Sequence, residues 1–144
     1  MSATRRTRTT ELLWNLHRAL YRASGGRIGG RVGALPVLIL TVKGRKSGEQ
    51  RAVALNYLLD RGAYVVFASH AGEDREPPWW LNLRDAGTGD VQVGSRHFRV
   101  RATEVEGEER ARLYAQVVAT APAYAVYQER TKRRIAVVRL EPAV

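Results

Sequence analysis

The sequence predicts a mainly β chain with flanking helices (α+β), built around a small, mainly antiparallel barrel. Three observations carry that expectation. Six short apolar or alternating stretches are bounded by Gly, Asp and Ser turns, two pairs of them are joined by tight hairpin turns, and the helical stretches between them are short and few. At 144 residues the chain suits one domain with a single core. With 44% hydrophobic and 26% charged residues it has the composition of a folded protein.

Residues 1–10 are polar and basic and read as a disordered tail, with one domain over residues 11–144. Thr10 can cap a helix over residues 11–23, in which Leu12, Leu13, Leu16 and Leu20 recur at i+3/i+4 spacing. Trp14 and Tyr21 widen that apolar face, and Arg18 and Arg22 lie off it. The helix stops at Ser24-Gly25-Gly26, and the glycines of residues 25–33 form a flexible loop without the G-x-G-x-x-G spacing of a dinucleotide fingerprint.

A β-branched, apolar strand follows over residues 36–42, then a polar turn over 43–50. Residues 51–59 and 63–69 flank Asp60-Arg61-Gly62 as a hairpin. Residues 90–93 and 96–105 flank Gly94-Ser95, a second hairpin with type II′ turn chemistry. In its long strand Phe98, Val100 and Ala102 alternate with Arg99, Arg101 and Thr103. Val105 then falls out of phase, the mark of a bulge or of the strand end. Between the hairpins, residues 77–83 read as a short helix with proline in its first turn. Gly107-Glu108-Glu109 opens another helix, with acids near its positive end and Leu113, Val117 and Val118 as core candidates. Pro122 breaks it, a short helical piece runs through Tyr124 and Tyr127, and residues 135–140 close the chain as a strand.

The composition excludes several kinds of chemistry. Without cysteine there are no disulfides, thiolate metal sites or thiol nucleophiles. No G-x-S-x-G accompanies the three histidines, His17, His70 and His97, so a nucleophilic triad is not supported. The first apolar stretch is broken by Asn15, His17 and Arg18. It reads as neither a signal peptide nor a membrane span, and a cytoplasmic location is expected. The formal net charge of +10 favours a polyanion: nucleic acid, an anionic membrane surface, or a phosphorylated or polycarboxylate ligand. The excess is regional, because residues 1–51 carry 11 basic and only 2 acidic side chains.

Three stretches can carry chemistry. Residues 41–51 (TVKGRKSGEQR) bring Lys43, Arg45, Lys46, Ser47 and Arg51 to one Gly-bounded turn, where cations and exposed amides can converge on an anion; the alternative is a solvated basic turn. It is not a Walker A loop, since the upstream glycine is missing. Residues 67–82 (FASHAGEDREPPWWLN) put Ser69 and His70 at a strand end beside Gly72, followed by Trp79, Trp80 and Asn82, which suits the edge of a planar ring or, equally, an aromatic plug for the barrel. His70, Glu73 and Asp74 are too sparse a set for a metal site, and none is expected. Tyr124 and Tyr127, three residues apart on a helix, share a face and can stack or offer hydroxyls.

In this order and spacing, these stretches resemble the deazaflavin-dependent nitroreductase family of mycobacteria and related actinobacteria. LTVKGRKSGEQR, the strand ending in FAS, the block PPWWLN and the C-terminal AYAVYQERTKR carry the resemblance, which runs from Leu20 to Val138. The resemblance implies a split β-barrel of the FMN-binding, pyridoxamine-phosphate-oxidase-like kind. It also implies reduced coenzyme F-420, a deazaflavin with a phosphodiester and an oligoglutamate tail, with FMN as the alternative cofactor. By the same resemblance Arg45, Lys46, Ser47 and Arg51, with Lys43 beside them, hold the phosphate and nearby carboxylates. Ser69, His70 and Gly72 border the cofactor, Pro78, Trp79 and Asn82 lie near the ring, and Tyr124 and Tyr127 line the substrate side. The sequence departs from the family pattern at His70-Ala71-Gly72, where members often carry Lys-Gly-Gly, a change at a phosphate or tail contact.

A deazaflavin brings its own hydride chemistry, which agrees with the lack of a triad, a thiol and a metal cluster. The expected activity is hydride transfer to an electron-poor small molecule of nitroaromatic, enone or quinone type, with Ser69, Tyr124 and Tyr127 as the catalytic candidates. The competing readings are a non-catalytic FMN- or haem-binding barrel and a basic protein of nucleic acid or membrane surfaces. Residues 11–23, with Arg5, Arg6, Arg8, Arg18 and Arg22, either pack on their own barrel or meet anionic lipid. The small-molecule reading expects no nucleic-acid partner and a monomer or homodimer.

Overall fold

The structure is a computed structural model that describes residues 31–32 and 35–143. The basic tail expected over residues 1–10, the helix expected over 11–23 and most of the loop expected over 25–33 lie outside the described residues. Among the described residues no helix is long and apolar enough to cross a membrane.

The elements are β1 (Arg31–Val32), β2 (Leu35–Lys43), β3 (Gln50–Asn56), β4 (Leu58–Asp60), β5 (Ala63–Phe67), a 3-10 turn (His70–Gly72), α1 (Pro78–Ala86), β6 (Thr88–Val93), β7 (Arg96–Val105), α2 (Gly107–Thr120), α3 (Ala123–Arg130) and β8 (Val137–Pro142). The strands form one antiparallel sheet in the order β2, β6, β7, β8, β5, β4, with β3 and β1 both paired to β2.

Two expectations are corrected here. Residues 31–32, read as part of a flexible loop, form a two-residue ladder with Leu35 and Pro36. Residues 51–59, read as one strand, are two, because the chain turns at Tyr57, whose amide donates to the Pro36 carbonyl at 3.0 Å. That break has a consequence for the whole sheet. β3 pairs with β2 and β4 pairs with β5, so one kinked ribbon follows both edges and curls the sheet into a split barrel.

Antiparallel pairing also decides which loops meet. The register Lys43↔Gln50, Thr41↔Asp90, Val105↔Val137 and Phe67↔Val137 places the 44–49 turn, the start of β6 and the end of β5 at one end of the barrel. The Gly94-Ser95 turn closes the opposite end: Val93 faces Arg96 and Gly94 takes φ 62°, the positive first position that a type II′ turn requires.

The sheet is buried on both faces along part of its width. Its inner face holds Leu38, Leu40, Val42, Tyr64, Val66, Val91, Val100, Val138 and Leu140, and α1 adds Trp80 and Leu83. Trp80 therefore plugs the barrel, while Trp79 packs half-buried at the margin of that core. On the outer face Leu35, Leu58, Val65, Phe67, Val105 and Val137 meet Leu113 and Val117 of α2, with Val118 at the margin. This second layer explains Val105. Its pairing with β8 continues unbroken to Val137, so there is no bulge; the strand ends under α2, on the face of Arg99, Arg101 and Thr103. It also explains why every residue of β5 is buried while β7 alternates.

A charged joint holds α2 to the sheet. Asp60, at the end of β4, is nearly buried and accepts two parallel bonds from Arg112 of α2, both 3.1 Å, and a third at 2.9 Å from Arg139 of β8. Arg139 also pairs with Glu109 at 3.1 Å. Hydrogen bonds from Arg112 and then Arg139 hold the Asp60 carboxyl down at about 2, against the desolvation that opposes them.

Candidate cofactor site

The basic turn is held by its own hydrogen bonds. The Gly44 amide donates to the Glu49 carbonyl at 2.8 Å and the Gly48 amide to the Gly44 carbonyl at 2.9 Å. Ser47 accepts from the Glu49 amide at 3.1 Å, and Arg51 pairs loosely with Glu49 at 3.6 Å. Lys43, Arg45, Lys46, Ser47 and Arg51 are all exposed. The turn forms one wall of a cleft of about 700 Å³ whose far side carries Asp85, Thr88, Asp90 and Arg99.

Asn82 proves to be the anchor of this turn. Its side-chain oxygen accepts the Arg45 amide at 3.1 Å and the Arg45 guanidinium at 2.7 Å, and the side chain is buried. Its side-chain oxygen is committed to Arg45, a role the sequence did not show. Helix α1 starts at Pro78 as its first residue, a place where the missing amide proton costs nothing, and it carries Asn82 to the basic turn. The Trp80 indole N–H, buried, has no hydrogen-bond partner.

The second group of residues assembles around the end of β5. His70, Ala71 and Gly72 all take positive φ, at 46°, 53° and 80°. The Gly72 amide closes the turn on the Ser69 carbonyl at 2.8 Å. The His70 ring is engaged within its own loop, with Nδ1 facing the Arg75 carbonyl at 3.1 Å and Nε2 facing the Glu73 carboxylate at 3.2 Å. Asp74 accepts from the Thr131 hydroxyl at 2.8 Å. Among the described residues no group of three or more His, Asp or Glu side chains is placed to hold a metal ion.

Helix α3 brings its tyrosines against this turn. Tyr124 and Tyr127 meet edge to face with ring centroids 5.3 Å apart, and Tyr124 reaches Phe67 at 5.6 Å. The Tyr114 hydroxyl donates to the Tyr124 carbonyl at 2.6 Å. Burial, then the neighbouring Tyr127 and Tyr114, pushes the Tyr124 phenol up to about 12, so it stays protonated near neutral pH. Tyr124 also packs on the outer core, whereas Tyr127 does not.

A left-handed turn at non-glycine residues stores strain. Ala71→Gly is expected to stabilise the protein by about 0.5 kcal/mol net, the relief of strain exceeding the extra entropy of the unfolded chain. Thermal melts of the two proteins check this, and a lower melting temperature for the glycine variant would contradict it.

Sequence reasoning missed Arg133 and Thr131. In sequence they belong to a basic run, ERTKRR, with the look of a solvated face. In the fold Thr131 is buried and Arg133 half-buried, both turned towards the Ser69 loop.

A family model described as F420H(2)-dependent quinone reductase matches residues 13–142. The protein named F420H(2)-dependent quinone reductase in Mycobacterium tuberculosis is 41% identical over 133 residues, 89% of each chain. A solved structure titled F420-H2 dependent reductase (FDR-A) superposes with a TM-score of 0.67 at 36% identity, covering 77% of this chain and 100% of that one. Another, titled a domain-swapped dimer, gives 0.70 at 31% identity over 92% and 99%. The barrel is the split barrel also seen in pyridoxamine-phosphate-oxidase-like proteins. The chain therefore belongs to the F420H(2)-dependent quinone reductase family, oxidoreductases with coenzyme F-420 as their cofactor.

Proposed function

We propose that this chain reduces an electron-poor small molecule, a quinone first and a nitroaromatic or activated alkene by the same logic, at the barrel end that carries the basic turn. The observation that carries the reading is the common location of three groups: the 43–51 turn, the Ser69 strand end and the tyrosine face of α3. The quinone preference rests on the names of the family and of the mycobacterial relative.

The donor set fits the cofactor. A phosphodiester with carboxylates beyond it needs several N–H donors and cations, and the turn offers Lys43, Arg45, Lys46 and Arg51 with the Ser47 hydroxyl and two glycines, beside a cleft of about 700 Å³. When bound, reduced coenzyme F-420 supplies the hydride. The chain supplies placement, polarity and a proton. Pro78 and Trp79 on α1, with His70 and Gly72 beyond Ser69, are the residues that would border the ring. The Ser69 hydroxyl donates to the acceptor's oxygen and holds the acceptor over the ring. Tyr127 provides the proton that accompanies hydride, and Tyr124, held as a neutral phenol, donates a hydrogen bond without ionising.

The reading is tested by mixing the protein anaerobically with reduced coenzyme and a panel of a benzoquinone, a nitrofuran and a cyclic enone, following coenzyme oxidation by absorbance. The quinone is expected to be reduced fastest. Oxidation no faster than in protein-free controls, for every acceptor, would sink the proposal.

A further inference from the structure

The Ser69 loop and the tyrosine helix are far apart in sequence, and Arg133, just beyond that helix, makes three of the side-chain bonds that fasten them. Arg133 donates through Nε to the Glu73 carbonyl at 2.9 Å, through Nη1 to the Ala68 carbonyl at 3.1 Å and through Nη2 to the Ser69 carbonyl at 3.0 Å. The left-handed turn over residues 70–72 lies within the segment that these carbonyls bracket. Unpaired, such half-buried carbonyls would be costly. A guanidinium presents a planar fork of donors that can span three acceptors at once, whereas a lysine ammonium offers a single point.

The neighbours of Arg133 complete the joint. The Thr131 hydroxyl donates to Asp74 at 2.8 Å and accepts the Arg133 amide at 3.3 Å. Gln128 of α3 donates to the Arg133 carbonyl at 2.8 Å, and Arg130 donates to the Ala71 carbonyl at 3.3 Å. The backbones themselves touch. A Cβ at Gly72 would lie 2.7 Å from the Tyr127 carbonyl oxygen and 2.9 Å from Arg130 Cβ, and Gly72 sits at φ 80°. Only glycine lets the turn approach α3 this closely.

We infer that Arg133 is a positioning residue of the reaction: through the Ala68, Ser69 and Glu73 carbonyls it sets the Ser69 hydroxyl in fixed register with Tyr127, so that strand end and helix act as one body. The inference rests on the proposed roles of Ser69 and Tyr127 towards the acceptor. Displacement of either group by about 1 Å is enough to cost on the order of 100-fold in turnover.

The test uses the full chain with Arg133→Lys and, as a variant that leaves Arg133 in place, Gly72→Ala. Two readouts are needed. Amide hydrogen exchange of the protein without coenzyme is expected to quicken about 10-fold or more over residues 69–74 and 124–131 together, with β2 and β6 unchanged. In steady state kcat is expected to fall about 10- to 100-fold for both variants, while for Arg133→Lys the coenzyme Kd by fluorescence polarisation stays within about 3-fold. For Arg133→Ala, millimolar guanidinium should restore part of kcat and sodium chloride should not. Faster exchange in only one of the two segments would overturn the fastening itself, whichever way kcat moves. Coupled loosening with wild-type kcat would overturn the roles of Ser69 and Tyr127, and with them the part given to Arg133 in the reaction.

Discussion

Asp60→Asn is expected to destabilise the protein by about 2 kcal/mol, less than the roughly 3–5 kcal/mol for breaking a fully buried ion pair, since Arg112 stays partly in water. The carboxylate is the common acceptor of Arg112 from α2 and Arg139 from β8, and its own carbonyl takes a further bond from Arg139 at 3.0 Å. An amide keeps the shape but offers one acceptor oxygen and no charge, leaving Arg139, the more buried guanidinium, with only the half-exposed Glu109 as counter-charge. Because α2 supplies Leu113 and Val117 to the outer core, loosening the joint also loosens that layer. A fall in melting temperature of about 5–10 °C is the expected readout.

The same joint has a signature in acid. The Asp60 carboxyl ionises at about 2 in the folded protein, below its ordinary value of 3.8, so its contribution is fully present above about pH 4 and is lost as the pH falls towards 2. The stability gap between wild type and Asp60→Asn should therefore shrink over that interval in urea melts. A gap that stays constant from pH 6 to pH 2 would tell against the depressed carboxyl.

Arg45→Ala combined with Lys46→Ala is expected to weaken binding of the full coenzyme by about 30- to 100-fold. A charge-assisted contact to phosphate is worth about 1.5–3 kcal/mol, reduced here because both side chains are exposed and screened, which leaves roughly 10-fold for each. The ring-and-ribityl fragment lacks the phosphate and tail, and its affinity should move by about 3-fold at most. The loss for the full coenzyme should also be greater at low salt than at high salt. Arg45 is additionally tied to Asn82, so its removal relaxes the turn as well as subtracting a charge. Equal losses for coenzyme and fragment would place the two side chains away from the phosphate.

How far the sequence was legible depended on whether the cause was local. The strand over 96–105, the type II′ turn at Gly94 and the proline at the start of α1 each follow from neighbouring residues, and each has its place in the structure. The kink at Tyr57 does not, because it answers to Pro36, on another strand. Val105 looked out of phase because alternation reports one buried face, and the outer layer under α2 is a second. In the site, the basic turn was legible as a concentration of charge, and the pairing of Tyr124 with Tyr127 followed from helical spacing. Asn82, Arg133 and Asp60 were not legible in their observed roles. Their partners lie 37, 64 and 52 residues away, and nothing in a run of arginines marks the one that turns inward.

The central claim is that the coenzyme's phosphate lies on the 43–51 turn with its ring towards Trp79 and Ser69. A crystal structure of the protein with coenzyme F-420 tests it most directly. The account predicts phosphate oxygens within hydrogen-bond distance of Arg45, Lys46 or Ser47 and the deazaflavin ring between α1 and the Ser69 loop. A coenzyme bound on another face of the barrel, with the basic turn left to solvent, would contradict it.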